Sequence, residues 1–339
     1  MLTNQTRTDE APRYPRLREN LWHLEPEEGR AVLITPESQF EVALPEAERF
    51  LRMRSFCNGH HTVEEIARGS GLPEQEVRAT LASLEEARVL CEPAPSGGRV
   101  RPEVAREALV RACRIWGEEL RLSYVGNELA QGGLSRTVLL GWLLEMYHYV
   151  HDFPEAIACA AMGARGALQE VLTRYAAQER GHEYFLVRTL ENLGLGREEI
   201  ETSTPLVSTR LVGLLMRDLF AIEPATALLV AALVEAQEFD EPRIQVFQEH
   251  ISRLYGASPD ALEPLFEHQR VDVQMGHARL LEDHLTLFEV DDLETLDRIV
   301  NGLHDLKHAF DLQGLEIKDY YGDLGGKYFP RQPMGLRSV

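Results

Sequence analysis

From residue 103 onward the chain reads almost without interruption as amphipathic helix, and that pattern leaves room for little but a helical bundle. Candidate helices cover 103–130, 135–152, 154–163, 165–193, 206–220, 224–238, 242–255, 259–286 and 291–312. Their breaks fall where helix-stopping residues stand: Gly132-Gly133, Pro154, Gly194-Leu195-Gly196, Pro224, Pro242 and Gly256. No strand pattern of comparable strength occurs in this half, so no sheet is expected beyond residue 100. The stretch Pro93-Ala94-Pro95-Ser96-Gly97-Gly98 ahead of it has the composition of a linker.

The shorter N-terminal part follows a different period. Leu21-Trp22-His23-Leu24 and Ala31-Val32-Leu33-Ile34 read as short strands across the charged turn Glu27-Glu28-Gly29-Arg30, with Phe40 to Leu44 as a third. A helix begins at Leu44-Pro45-Glu46, where Pro suits an early helical position. Thr62 with Glu65 forms a capping box ahead of a second helix. After the turn Gly71-Leu72-Pro73, Val77, Leu81 and Leu84 recur at helical spacing, and Val89-Leu90-Cys91 reads as a closing strand. The expected organisation is a disordered N-terminus (1–19), a small α+β winged-helix module (20–92), a linker (93–102), a helical domain (103–315) and a C-terminal tail (316–339).

Charge narrows the function classes. The chain has 339 residues, with 35 Lys and Arg against 55 Asp and Glu, a formal net charge of −20. Phosphate backbones and anionic membrane surfaces are held by clustered basic residues, so neither nucleic acid nor membrane is an expected partner. Between Glu74 and Leu90, where a winged helix would carry its recognition helix, Glu74, Glu76, Glu85 and Glu86 outnumber Arg78 and Arg88, which argues against DNA reading. No apolar run approaches the roughly 20 residues needed to span a bilayer. The N-terminus holds no signal-peptide core, so the expected location is cytoplasmic. Cys57, Cys91, Cys113 and Cys159 form no Cys-x-x-Cys pair and read as reduced thiols.

Metal-ligand residues are scattered along the predicted helices. Glu179 and His182 are three apart, and His268 and Asp272 four apart, spacings that put each pair on one helical face. Between them the apolar run Leu228 to Val234 leads into Glu235, with Glu238 one turn further. Carboxylates mixed with imidazoles suit iron or manganese better than structural zinc. The 165–193 helix carries Leu168, Val171, Leu172, Tyr175, Phe185, Leu186 and Leu190, so Glu179 and His182 fall near its buried stripe. An unpartnered buried Glu is expensive, and a metal or an ion pair would partner it. Glu145 with His148 and His151, and His304 with His308 and Asp311, read as pocket lining or solvated helix faces.

The order Glu-x-x-His, Glu, His-x-x-x-Asp, within Gln178-Glu179-Arg180-Gly181-His182-Glu183 and with Tyr147-His148-Tyr149-Val150-His151-Asp152-Phe153-Pro154 ahead of it, resembles the haem-oxygenase-like diiron oxidases, also called the iron-containing redox enzyme family. The resemblance covers roughly 103–315. It implies a haem-oxygenase-like (thiaminase-like) helical bundle, so the expected fold class is mainly α. It implies two iron ions and O₂ as co-substrate, used to abstract hydrogen, insert oxygen or cleave a C–C bond. Carried over, Glu179, His182, Glu235, His268 and Asp272 match the ligands, Glu235 as the bridging carboxylate with Glu238 competing. The third member of His-x-x-x-Asp-x-x-His would stand at 275, which is Met. The nearest imidazole, His277, falls on the opposite face of a straight helix at about 100° per residue. Gly276 would let the chain unwind locally or form a π-bulge and turn His277 inward, and that distortion is the expectation. A regular helix would leave one iron short of a ligand.

Residues 21–24, 29–34, 61–67 and 77–90 resemble the peptide chaperone of pyrroloquinoline quinone biosynthesis and the leader-recognition domains of ribosomal peptide pathways. The resemblance implies a precursor peptide whose leader adds a strand at the sheet edge, near Ala31–Ile34 and the Val77–Leu90 helix. The expected function is an O₂-dependent non-haem diiron oxidase that modifies this peptide, with a homodimer as the candidate assembly. The alternatives are a cofactor-free oxidase resembling pyrroloquinoline quinone synthase and a non-catalytic peptide-binding scaffold.

Overall fold

The computed structural model describes residues 14–17, 21–25, 29–34, 39–86, 90–91, 98–234 and 241–338. It divides into two compact units, Met1–Gly97 and Gly98–Val339. The first carries β1 (Leu21–Glu25), β2 (Arg30–Ile34) and β3 (Gln39–Ala43), then α1 (Leu44–Arg54), α2 (Val63–Ser70) and α3 (Glu74–Glu86). The strands form an antiparallel meander ordered β1-β2-β3, with Leu21 opposite Ile34 and Arg30 opposite Ala43. Thr62 caps α2: its hydroxyl accepts from the Glu65 amide at 3.3 Å, and the Glu65 carboxylate accepts from the Thr62 amide at 2.9 Å. Phe50, Met53, Ile66, Val77, Leu81 and Leu84 bury the helical faces in one core.

One expectation for this unit changes. Residues 14–17 lie in the segment expected to be disordered, yet they are built into the unit. Arg16 bridges Asn58 and Leu17 bridges Leu90, and the Leu17 amide donates to the Cys57 carbonyl at 2.9 Å. Ala31–Ile34, near which leader addition at the sheet edge is expected, belong to the central strand β2, and the edges of the sheet are β1 and β3. Residues 26–28, 87–89 and 92–97, which include most of the expected charged turn and linker, lie outside the described residues.

The second unit is helical: α4 (Pro102–Leu122), α5 (Val125–Gln131), α6 (Arg136–Gly163), α7 (Gly166–Glu179), α8 (Glu183–Asn192), α9 (Arg197–Glu201), α10 (Val207–Ile222), α11 (Thr226–Val234), α12 (Glu241–Tyr255), α13 (Glu263–Met275), α14 (Leu280–His284) and α15 (Leu293–Gly322). No strand element occurs among its described residues. The mainly helical class expected for this unit is therefore the fold found. α6 packs against α7, α8, α10 and α15 and buries side chains along its whole length. α11 is apolar on every side and nearly every residue is buried, as a helix enclosed by others must be. Gly141 lets α6 and α15 approach: a Cβ there would stand 2.2 Å from the Tyr321 ring.

Several helix ends depart from expectation. Pro154 does not end a helix, and α6 runs through it. Proline forfeits one backbone bond, but Val150, Phe153, Ala156 and Ile157 on either side are buried, and packing outweighs the loss. The 103–130 helix is interrupted at Ser123-Tyr124. The last helix continues past 312 to Gly322, because Ile317 and Tyr321 are buried in the bundle. The rest of the expected tail returns to it, and the Thr204 amide donates to the Arg331 carbonyl at 2.8 Å.

Candidate metal centre

Three helix ends and one helical turn build the site. Glu179 is the last residue of α7, and His182 stands immediately before α8. The Glu-x-x-His pair therefore does not share one helical face, as its spacing predicted. Arg180 is extended at ψ 126° and Gly181 takes φ +94°, a conformation that favours glycine. The break turns both side chains to the same point. On α13, His268 and Asp272 do lie one turn apart, His268 Nε2 being 3.4 Å from Asp272 Oδ2. Gly276 then ends α13 at φ +76°, and its amide donates to the Val273 carbonyl. His277 starts a short 3₁₀ turn and is buried, 1% exposed, while Met275 at the expected histidine position is 40% exposed.

The polar atoms converge without bonding to one another. His277 Nδ1 is 2.8 Å from Glu179 Oε1 and 3.8 Å from Asp272 Oδ1. His182 Nδ1 is 3.1 Å from Asp272 Oδ1 and 3.4 Å from Glu179 Oε2. Yet Glu179 Oε1, His182 Nδ1, Asp272 Oδ1 and both ring nitrogens of His277 are buried with no hydrogen-bond partner. Orphaned buried polar atoms are rare, because each costs its full desolvation. Lone pairs aimed at a common centre rather than at neighbouring protons are what metal ligands present. Two ligand groups emerge, His182–His268–Asp272 and Glu179–Asp272–His277, each with its atoms within 4.8 Å of one another and with Asp272 common to both.

Burial opposes charge on Glu179, but the imidazoles of His182 and His277 outweigh it and hold the carboxyl at about 2. Burial likewise opposes charge on His182, but Asp272 and Glu179 lift it to about 10. His268 is pushed down, chiefly by burial, which favours the neutral ring that can donate a lone pair. Phe185 stacks on His268 with centroids 5.7 Å apart, and Tyr175 meets His277 edge-on at 5.0 Å. These rings fix the orientation of the imidazoles.

A cavity of about 630 Å³ adjoins the cluster and reaches Glu179, His268 and Asp272. Its walls are mainly apolar and come from α4, α5, α6, α7, α11, α13 and α15. Gln269, beside His268, borders it as well. Nothing in the spacing of the sequence singled out Gln269 or the aromatic walls, because they meet only through the packing of distant helices.

Of the residues expected at the centre, Glu179, His182, His268, Asp272 and His277 are brought together. Glu235 and its competitor Glu238 lie outside the described residues. The reserve histidines are elsewhere. His148 Nε2 is 2.9 Å from Ser203 Oγ, and His151 pairs with the neighbouring Asp152 at an exposed position. Glu145 is fully buried and accepts from Tyr321 Oη at 2.6 Å and the Leu206 amide at 3.0 Å. His304 packs on Trp116 and His308.

No helix among the described residues is long and apolar enough to cross a membrane. No curated protein matches the chain. A solved domain of unknown function from Shewanella denitrificans OS217, described as having a haem-oxygenase-like fold, superposes with a TM-score of 0.51 at 16% identity, covering 66% of this chain and 96% of that one. Residues 140–307, which hold all five clustered side chains, match the model of the iron-containing redox enzyme family.

Proposed function

We propose that the protein is an O₂-dependent non-haem diiron oxidase or oxygenase acting on a ribosomally made precursor peptide. The match to the iron-containing redox enzyme family supports an oxidoreductase that uses iron. The observation that carries the rest is the convergence of five buried side chains in two groups sharing Asp272, four of which carry a polar atom with no hydrogen-bond partner. In the proposal Glu179, His182, His268, Asp272 and His277 hold the metal, Glu235 completes the set, and Asp272 serves both positions.

Bound iron would supply the O₂ chemistry. The chain's own residues do the remainder. Glu179 enters already ionised and His268 already neutral, whereas His182 must release its proton as metal binds. The apolar walls exclude water, and only Glu179, His268 and Asp272 of the cluster border the cavity, so substrate would approach from that side. Metal analysis tests the reading. Two equivalents of iron per chain are expected, and one or none would remove the diiron assignment. Among the described residues, the charged groups on the cavity wall are Glu118, Arg121, Glu179 and Asp272 besides His268. A cofactor-free oxidase would instead call for a cationic pocket.

The peptide half of the proposal rests on the resemblance of the N-terminal unit. Its sheet offers β1 and β3 as edges for strand addition. On α3, Arg78 is neutralised by Glu64 and Glu74, which leaves that surface acidic and suited to a basic leader.

A further inference from the structure

We infer that Gln313 is a specificity-determining residue of the cavity and that it pairs with a secondary amide of the ligand, a reading that rests on the cavity as the substrate's approach to the centre proposed above. Phe310, Gln313, Gly314 and Ile317 follow one another at i, i+3, i+4 and i+7 on α15, and all four line the cavity. Gln313 therefore belongs to the face of α15 that is turned to it. Its Nε2 donates to Thr209 Oγ1 on α10 at 2.9 Å. Its Oε1 has no donor among the described residues and is open to water, whereas the orphaned atoms of the metal cluster are sealed.

The buried network behind Gln313 decides which end of its amide faces the cavity. Glu145 on α6 is fully buried and surrounded by donors: Tyr321 Oη at 2.6 Å, the Leu206 amide at 3.0 Å and the Thr209 hydroxyl. A carboxylate only accepts, so the Thr209 proton is committed to Glu145 and Thr209 Oγ1 is left to accept. Gln313 then turns its NH₂ group to Thr209 and its carbonyl to the cavity. Mostly apolar sites fix the orientation of a ligand through a few placed polar groups of this kind. On the same face of α15, the side chains of Phe310 and Ile317 offer no hydrogen bond. Gln313 Oε1 calls for a donor, and the second proton on Nε2 calls for an acceptor. A secondary amide carries both, whereas an ester carries the acceptor alone. A peptide bond and the amide of a free small molecule share this chemistry.

The test is titration calorimetry on the full-length, metal-free protein, so that binding is read independently of iron. N-octylacetamide and octyl acetate have the same shape and differ by one N–H, and the ratio of their affinities cancels the shared chain. In Gln313→Met, which keeps the length and apolar bulk of the side chain, the amide-to-ester ratio should fall about tenfold while octyl acetate stays within about twofold. Thr209→Val, which frees the Gln313 amide to turn over, should lower the ratio about threefold or more. Met146→Trp, which adds bulk to the cavity wall, should abolish binding of both probes. A melting curve shows that each variant is folded at the titration temperature. An unchanged ratio in Gln313→Met would overturn the inference, as would binding of the probes that survives Met146→Trp. A ratio unchanged in Thr209→Val would overturn the orienting role of Glu145 and Thr209. If N-acetyl-Gly-Leu-Gly-amide outbinds N-octylacetamide, the amide belongs to a peptide. If it does not, the amide belongs to a free small molecule, and both results uphold the amide class. Loss of the iron reading would show in metal content while these affinities stand.

Discussion

His277 Nδ1 lies 2.8 Å from Glu179 Oε1, although the two residues stand at the ends of helices far apart in sequence and neither ring nitrogen of His277 has a hydrogen-bond partner. The contact exists because α7 ends at Glu179 and α13 ends at Gly276. A continuous helix through Gly276 would carry His277 to the opposite face from His268.

His277→Ala should therefore remove roughly half of the bound iron and the O₂ reactivity, with Asp272, His182 and His268 keeping the remainder. Iron quantitation with oxygen-consumption measurements checks this. Full metal and full activity in the variant would make His277 a bystander.

Gly276→Ala tests the turn itself. Gly276 sits at φ +76°, where a Cβ costs about 1–2 kcal/mol, although nothing else lies within 4 Å of the added atom. The expected outcome is melting lowered by several degrees together with reduced iron content. Unchanged values for both would show that the αL conformation is not what places His277.

Glu179→Ala and His268→Ala should each remove at least half of the bound iron while the helical circular-dichroism signal persists. Each variant removes a different cluster member, one from each ligand group. Full iron occupancy in both variants would refute the assignment.

Metal affinity should rise with pH. In the metal-free protein the His182 imidazolium is stabilised by Asp272 and Glu179 up to about 10, so binding must displace one proton. Between pH 7 and pH 9 the apparent affinity should rise up to about tenfold per unit, with one proton released per site. Cobalt(II) titration in buffers of differing ionisation enthalpy measures both quantities. The stability of the metal-free protein follows the opposite sign for this group. His182 contributes fully below its ordinary 6.5 and loses that contribution as pH rises through about 10. Glu179 contributes above 4.5 and loses it as pH falls through about 2. The pair thus supports the metal-free fold best between those ordinary values.

Acid should weaken the bundle through His148. Burial, its first cause, lowers this group to about 4 against an ordinary 6.5. Between those values the unfolded chain takes up a proton that the folded one refuses, so stability falls as pH falls. His148→Gln should flatten the denaturation midpoint across that window. An unchanged slope would locate the acid sensitivity elsewhere.

Deleting residues 1–95 should weaken precursor binding and leave iron content intact, since the five clustered residues all lie in the Gly98–Val339 unit. Equal peptide affinity in the truncated and full-length proteins would rule out recognition by the N-terminal unit.

The sequence by itself determined the helical character of the larger unit, the strands and capping box of the smaller one, and the identity of the clustered side chains. Those features are written locally: apolar residues at helical spacing, the Thr62–Glu65 pair, and His268 one turn before Asp272. The tertiary structure decided what local patterns cannot carry. Pro154 reads as a stop, but buried neighbours on both sides carry α6 through it. The Glu179–His182 spacing reads as one helical face, but the extended Arg180 and the positive φ of Gly181 bring the pair together across a break. The three short strands carry no local mark of their order, and only pairing on both sides puts Ala31–Ile34 at the centre of the sheet. The cavity and its aromatic walls had no local signature, because helices remote in sequence must pack before they face one another.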